Sequence, residues 1–465
     1  MRGRDYEVRT RRNRRRGGTA WRHVLCCLTA LAGTPAAAAL AQPPAQTGPW
    51  FGVTPPPPFK PHVAPAIVGD RGVAPAVVPE GEEAFRALTG DALHTDLEAI
   101  VQFSRDSRAR REVGSGQLWG RITGFRSGRD TVSWAAEKFR TAGIADVRLQ
   151  VFDQDEEAAF WLPLSWEVRL VGDPAFGAGT DDLVLTTAMP LAPSDVPRGG
   201  LLAPLVHVGF GSAAELAHID VRGKVAVQHV TPQGHMVFER APTVTRARAL
   251  FARGAVGVIN VIDLPGNERA RDFSDCGGPC FNLGGRDGRF LETVLDRAAE
   301  TGLHDRPRVR ISLDTELRSG LSAHNGVAII PGGEQPEDTI IINAHADAWF
   351  DGAGDNGDGL AVLVALARHF AGDAYQPRRT LVFVASAGHH SPGLHGPRNF
   401  VAMNPRLAER AVLALNIEHV AQRNLSPARS VTADGYREFV ADAGEAPIVA
   451  GVSNASPFLE DLFRR

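Results

Sequence analysis

Residues 340–366 read IIINAHADAWFDGAGDNGDGLAVLVAL. An apolar run ends at His345 and Asp347, a glycine-rich turn carries Asp351, Asp355, Asn356 and Asp358, and a second apolar run resumes at Leu360. A buried strand, a sharp turn and a helix fit this pattern, because glycines allow tight bends and an aspartate caps the helix that follows. Capping accounts for one or two of the carboxylates. A histidine two residues before an aspartate at a strand end, with more carboxylates in the next turn, is a set of metal donors.

Two further apolar runs extend the argument. DTIIINA (338–344), RTLVFVASA (379–387) and AVLALNI (411–417) each read as buried strands, and GLAVLVALARHFA (359–371) as a helix between the first two. The fold class is therefore α/β, a mixed, largely parallel sheet flanked by helices and joined by right-handed crossovers. Each strand is followed by donors: His345 and Asp347, then His389 and His390, then Glu418 and His419. The carboxyl ends of neighbouring strands in such a sheet share one crevice, so these residues are expected to converge there. A carboxylate such as Asp355 has two oxygens and can bridge two cations about 3.5–4 Å apart.

The remainder divides by texture. Residues 1–41 hold nine arginines against Asp5 and Glu7, then the short apolar stretch VLCCLTALAG and an Ala39-Leu40-Ala41 cleavage pattern, which reads as an export signal. Residues 42–81 are proline-rich and read as an extended linker. Residues 82–182 open the first folded part with two helical patterns, the second stopped at Gly143, and the strand DVRLQVF. Residues 183–265 form short β-branched runs broken by glycine and proline, with one helix, and read as a small inserted β-rich domain. Residues 266–465 complete the α/β part.

With 465 residues, 43% hydrophobic and 22% charged, the chain has enough apolar surface for more than one core. Removing the leader takes the net charge from −3 to about −10, which argues against nucleic acid and anionic membranes as partners. No apolar stretch is long enough to span a bilayer, so the product is expected to be exported, periplasmic or secreted, without a stable membrane span. Cys276 and Cys280, in CGGPC, read as a small-loop disulfide in such a compartment, with a zinc clip as the other reading. A serine hydrolase lacks its G-x-S-x-G elbow here.

The stretch NAHADAWFDGAGDNGDGLA (343–361) resembles the signature of the di-zinc exopeptidase family, which includes secreted leucyl aminopeptidases, glutamate carboxypeptidase and the non-catalytic transferrin-receptor ectodomain. LLAPLVHVGFGSAAELAHIDVRGKVAVQ (201–228) with ARALFARGAVGVINV (247–261) resembles the protease-associated domain that several members carry as an insert. The resemblance runs over roughly 85–420. It implies one or two zinc ions, with His345 and Asp355 as ligands and Asp355 bridging, Asp347 orienting His345, and a peptide as substrate cleaved by a metal-activated water.

The chain departs from that pattern. Where the family places a Glu-Glu pair, the first glutamate taking the water's proton and the second binding zinc, this sequence has His389 and His390. His390 is chemically sound as a ligand and His389 is the substitute base, though neighbouring cations weaken an imidazole's pull on a proton. Glu418 stands where an aspartate ligand is expected. No histidine follows His419 to supply the last ligand, so the chain reads as C-terminally incomplete or the site as incomplete. A strand continuing past Glu418 would turn His419 to the opposite side. The catalytic set is thus Asp347 and His389, and the metal set His345, Asp355, His390 and Glu418. The leading reading is an exported zinc exopeptidase, an aminopeptidase in type. The other is a non-catalytic binding protein that keeps the fold.

Overall fold

The three apolar runs become neighbouring strands of a five-stranded sheet. The computed structural model describes residues 48–64, 67–68, 77–231, 240–271, 275–372, 375–421, 425–428, 436–441 and 456–464. The export signal read over 1–41 lies outside them.

The sheet contains β1 (Asp146–Asp153), β2 (Ser322–Ile330), β3 (Gln335–His345), β4 (Arg379–Ser386) and β5 (Ala411–Asn416), in the spatial order β5-β3-β4-β2-β1. β3 runs parallel to β4 and β5, while β2 is antiparallel to both β4 and β1. The sheet is mixed, as expected: parallel across the β5-β3-β4 edge and antiparallel across β2. Residues 331–334 join β2 to β3, and a parallel crossover needs a dozen residues or more.

Three helices position this sheet: α1 (Gly90–Ala109), α2 (Arg126–Thr141) and α3 (Asp358–Phe370). Ile342, Ala344, Phe383 and Ala385 on one face pack against Ile100 of α1, Val132 and Phe139 of α2, and Leu360, Leu363 and Val364 of α3. Val327, Val382 and Val384 on the other face meet Phe400. Both faces are covered, which is why β4 reads as a continuous apolar run rather than an alternating one. α2 stops where the sequence suggested, with Gly143 at φ 93°.

The β-rich region forms a second sheet of eight strands. Four parallel strands, Leu201–His207, Val225–Val230, Gly257–Ile262 and Cys280–Leu283, lie side by side. The sheet extends beyond 183–265 through the long antiparallel pair Phe160–Leu170 and Arg308–Arg318. Of the run 182–188 only Leu183–Val184 is strand. Cys276 and Cys280 are disulfide-bonded.

Described residues of the proline-rich segment pack against the folded part. Trp50 and Phe51 are 3% and 7% exposed and pack with Phe176 in the largest core cluster. Further along, Arg269 stacks over Phe59, and His62 Nδ1 lies 2.6 Å from Asp351 Oδ1. Aromatic side chains spaced along an extended, proline-stiffened chain give it apolar anchors, so it docks rather than floats.

Phe383, fully buried at the centre of β4, links α2 to the sheet. Phe383→Ala is expected to destabilise the fold by about 3–5 kcal/mol, measured as a lower denaturant midpoint at an unchanged slope.

Candidate metal centre

Strand register brings the donors together. His345 at the end of β3 sits opposite Ser386 at the end of β4, and Asn343 opposite Asn416 at the end of β5. The chain therefore leaves all three strands at nearly one level, with His389, His390 and Glu418 a few residues beyond. Gly388, at φ 85°, turns the chain after β4; a Cβ there would run into the Leu394 carbonyl oxygen.

The turn before α3 is stitched to the end of β5. Asn356 Nδ2 donates to the Ile417 carbonyl at 2.9 Å, and its Oδ1 accepts from the His419 amide at 3.3 Å. Asp358 Oδ2 accepts from the Ala421 amide at 2.8 Å. These bonds hold Glu418 and Asp355 on the same side of His345. The Asp355–Asn356 peptide is cis.

His345 is almost fully buried. Its Nδ1–H donates to the main-chain oxygen of Asp347 at 3.0 Å, which leaves the Nε2 lone pair facing outward in the neutral ring. Nε2 makes no hydrogen bond among the described residues, yet it lies 3.2 Å from Asp355 Oδ1 and 3.3 Å from Glu418 Oε1. A buried lone pair between two carboxylate oxygens is repulsive unless a cation or a proton sits among them. Burial pushes the His345 pKa down, but Asp347 and Asp355 outweigh it and raise the value from 6.5 to about 10. Asp355 is itself held well below the usual carboxylate range, against the upward push of burial, by His345 and His390.

His345, Asp355 and Glu418 each offer a donor atom within 4.8 Å of the other two, and so do His345, His389 and His390. Imidazole and carboxylate donors in such a cluster suit zinc. His390 Nε2 lies 3.3 Å from Asp355 Oδ1. The Glu418 carboxylate is oriented through its other oxygen, which accepts from Asn416 Nδ2 at 3.1 Å. His389 is half-exposed and its ring stacks on His345, with centroids 4.3 Å apart. Burial, with His345 and His390 beside it, pushes its pKa below the ordinary histidine value.

Asp347 holds more than the histidine the sequence connected it to. Its carboxylate is 3.5 Å from His345 Nδ1, and its two oxygens accept the amides of His389 at 3.2 Å and His390 at 2.9 Å. It therefore fixes the loop after β4 relative to the end of β3. Burial pushes its pKa up, but His345 and His390 keep it ionised well below the usual range. β5 stops at Asn416, so His419 does not follow strand alternation; at φ 54° its ring swings back to 3.5 Å from Glu418 Oε1.

Sequence reasoning missed Arg121. Fully buried, it donates to the carbonyls of Ala346 at 2.9 Å, Asp351 at 3.0 Å and Gly352 at 2.8 Å, gripping both ends of the metal turn. Burial lowers its pKa to about 10 although the surrounding aspartates raise it, so it stays charged at neutral pH. The only local signal is a lone arginine inside the apolar stretch LWGRITGF. Arg105 and His62 hold the Asp351 side chain in the same turn.

Residues 325–461, which contain all five candidate donors and Asp347, match Peptidase family M28. The matched residues include the turn whose sequence carries the resemblance. Aminopeptidase NAALADL1 of Mus musculus is 32% identical over 115 residues, 24% of this chain and 15% of that one. Transferrin receptor protein 2 of Homo sapiens is 32% identical over 85 residues, 18% of this chain and 10% of that one. The chain thus spans no more than about a seventh of these relatives' length. A peptidase M28 precursor from Shewanella amazonensis SB2B superposes with a TM-score of 0.48 at 21% identity, covering 70% of this chain and 74% of that one.

Two outcomes follow from the geometry. Asp347→Ala frees the amides of His389 and His390 and is expected to weaken zinc binding about 10–100-fold, read by competition with a chromophoric chelator. In the metal-free protein the stability conferred by protonated His345 is fully present below the unfolded-state pKa of 6.5 and is lost as pH rises through about 10. Its melting temperature should fall across that window, and His345→Asn should flatten the fall.

Proposed function

We propose, from the M28 match over 325–461, that the protein is a zinc-dependent peptidase, an exported exopeptidase of aminopeptidase type. The single observation that carries this reading is His345 Nε2, buried without a hydrogen bond and faced by carboxylate oxygens of Asp355 and Glu418 at 3.2 and 3.3 Å.

His345, Asp355, His390 and Glu418 would hold the ion. When bound, zinc supplies Lewis acidity that polarises a peptide carbonyl and makes water acidic near neutral pH. Asp347 acts through the amides of His389 and His390, keeping both rings over β3. His389, neutral because its pKa is lowered and open to solvent on one side, accepts the attacking water's proton and returns it to the departing amine. Trp349 and Phe350 of the metal turn pack against the core cluster shared with the eight-stranded sheet, whose protease-associated-like part, 183–265, would wall one side of the cleft and favour short peptides. No helix among the described residues is long and apolar enough to cross a membrane, and the leader over 1–41 supplies the export signal in this reading.

A second reading, a non-catalytic binding protein, is favoured by one observation: imidazoles stand where the family keeps its Glu-Glu pair. Hydrolysis of aminoacyl nitroanilides by the purified protein, abolished by chelator and restored by zinc, is expected under the first reading; zinc retained with no hydrolysis selects the second. His389→Ala is expected to lower kcat by about 10²–10⁴-fold while zinc content stays unchanged.

A further inference from the structure

We propose that Asn325 is a positioning residue for the metal centre, its carboxamide closing the loop that carries His389 and His390 and so setting both imidazoles against His345. The proposal rests on the metal-site reading above and gives that site a residue outside its donors.

Asn325 lies on β2 beside the end of β4, since its neighbour Gly326 stands opposite Ala385. It is fully buried, and a carboxamide sealed from water is costly unless both its ends are bonded. Its partners are the two ends of one loop. Oδ1 accepts from the Ala387 amide at 3.2 Å, and Nδ2 donates to the Gly396 carbonyl at 2.8 Å. The Gly396 amide in turn donates to the Ala387 carbonyl at 2.9 Å. Residues 388–395 are thus pinched shut at their base. Glycine is required in the pinch, because a Cβ on Gly396 would lie 2.2 Å from the Ala387 oxygen and 2.6 Å from Asn325 Oδ1.

The pinch fixes the start of the loop, where the histidines are. After the Ala387 amide, that of Gly388 donates to Thr123 Oγ1 at 2.9 Å, and those of His389 and His390 go to Asp347. Every amide from 387 to 390 is therefore held by a side chain from another part of the fold. The far side of the loop is held by Leu394, packed with Phe152 and Ala323, and by the Pro392 carbonyl, which accepts from Gln154 Nε2 at 3.0 Å. Thr123, Asp347 and Gln154 each bond one part of the loop, whereas Asn325 bonds both ends. On this frame His345, His389 and His390 each offer a donor atom within 4.8 Å of the other two. A loop closed by protein groups has its ordering cost met in folding, so that cost is not subtracted from metal affinity.

The test uses the full chain, stripped of metal and titrated with zinc and with cobalt(II), whose visible absorption reports its donors and their geometry. Asn325→Ala is expected to weaken zinc binding about tenfold and to shift the cobalt band. Asn282→Ala deletes another buried, doubly bonded carboxamide, in the eight-stranded sheet. It should lower the denaturant midpoint and leave zinc affinity and the cobalt band as in the wild type. Wild-type affinity and an unshifted band in Asn325→Ala would overturn the proposal and leave the peptidase reading standing. Amide exchange on the wild-type chain decides the matter even where Asn325→Ala fails to fold. In the metal-free protein the amides of residues 387–390 are expected to be as protected as those inside β4. Exchange at exposed-loop rates until zinc is added would show that the ion organises the loop, and would overturn the proposal. Failure of the wild type to bind either ion would overturn the metal-site reading and this proposal with it.

Discussion

The outward lone pair of His345 is the constraint on which the rest of the site is arranged. A ring almost sealed from water, with one nitrogen committed to the Asp347 carbonyl, can satisfy the other only with a positive charge, since the groups facing it are carboxylates. The sheet supplies the rigidity this requires. Parallel register levels the ends of β3, β4 and β5, so three loops converge on one nitrogen without any of them having to be long.

Holding several aspartates around a metal turn costs desolvation energy, and the fold offsets it with cations and amides rather than water. Arg121 spans the carbonyls at both ends of the turn, Arg105 and His62 take the Asp351 side chain, and Asp347 is neutralised in part by two loop amides. The docked proline-rich segment therefore has a structural reason to lie where it does: its His62 completes the shell around the turn.

Imidazoles in place of two glutamates change the chemistry of the loop after β4. They carry no negative charge when neutral, and they place rings, one of them stacked on His345, where the family pattern has acyclic carboxylates. His390 is edge-on to His345, and His389 lies over its face. Adjacent histidines thus present different orientations to the same ring.

Much was legible in the chain itself. Apolar runs ending in histidine, aspartate and glutamate identified β3, β4 and β5 and the candidate donors that follow them, because buried strands leave a compositional mark and metal donors are few in kind. The long antiparallel pair Phe160–Leu170 and Arg308–Arg318, the antiparallel insertion of β2 and the grip of Arg121 were not legible, since each depends on partners far apart in sequence. The sequence by itself determined which side chains could bind a cation and that they sit at strand ends. Only the tertiary structure decided which oxygen and which nitrogen face one another, because that follows from register, from the turn at Gly388 and from the end of β5 at Asn416, where His419 leaves strand alternation.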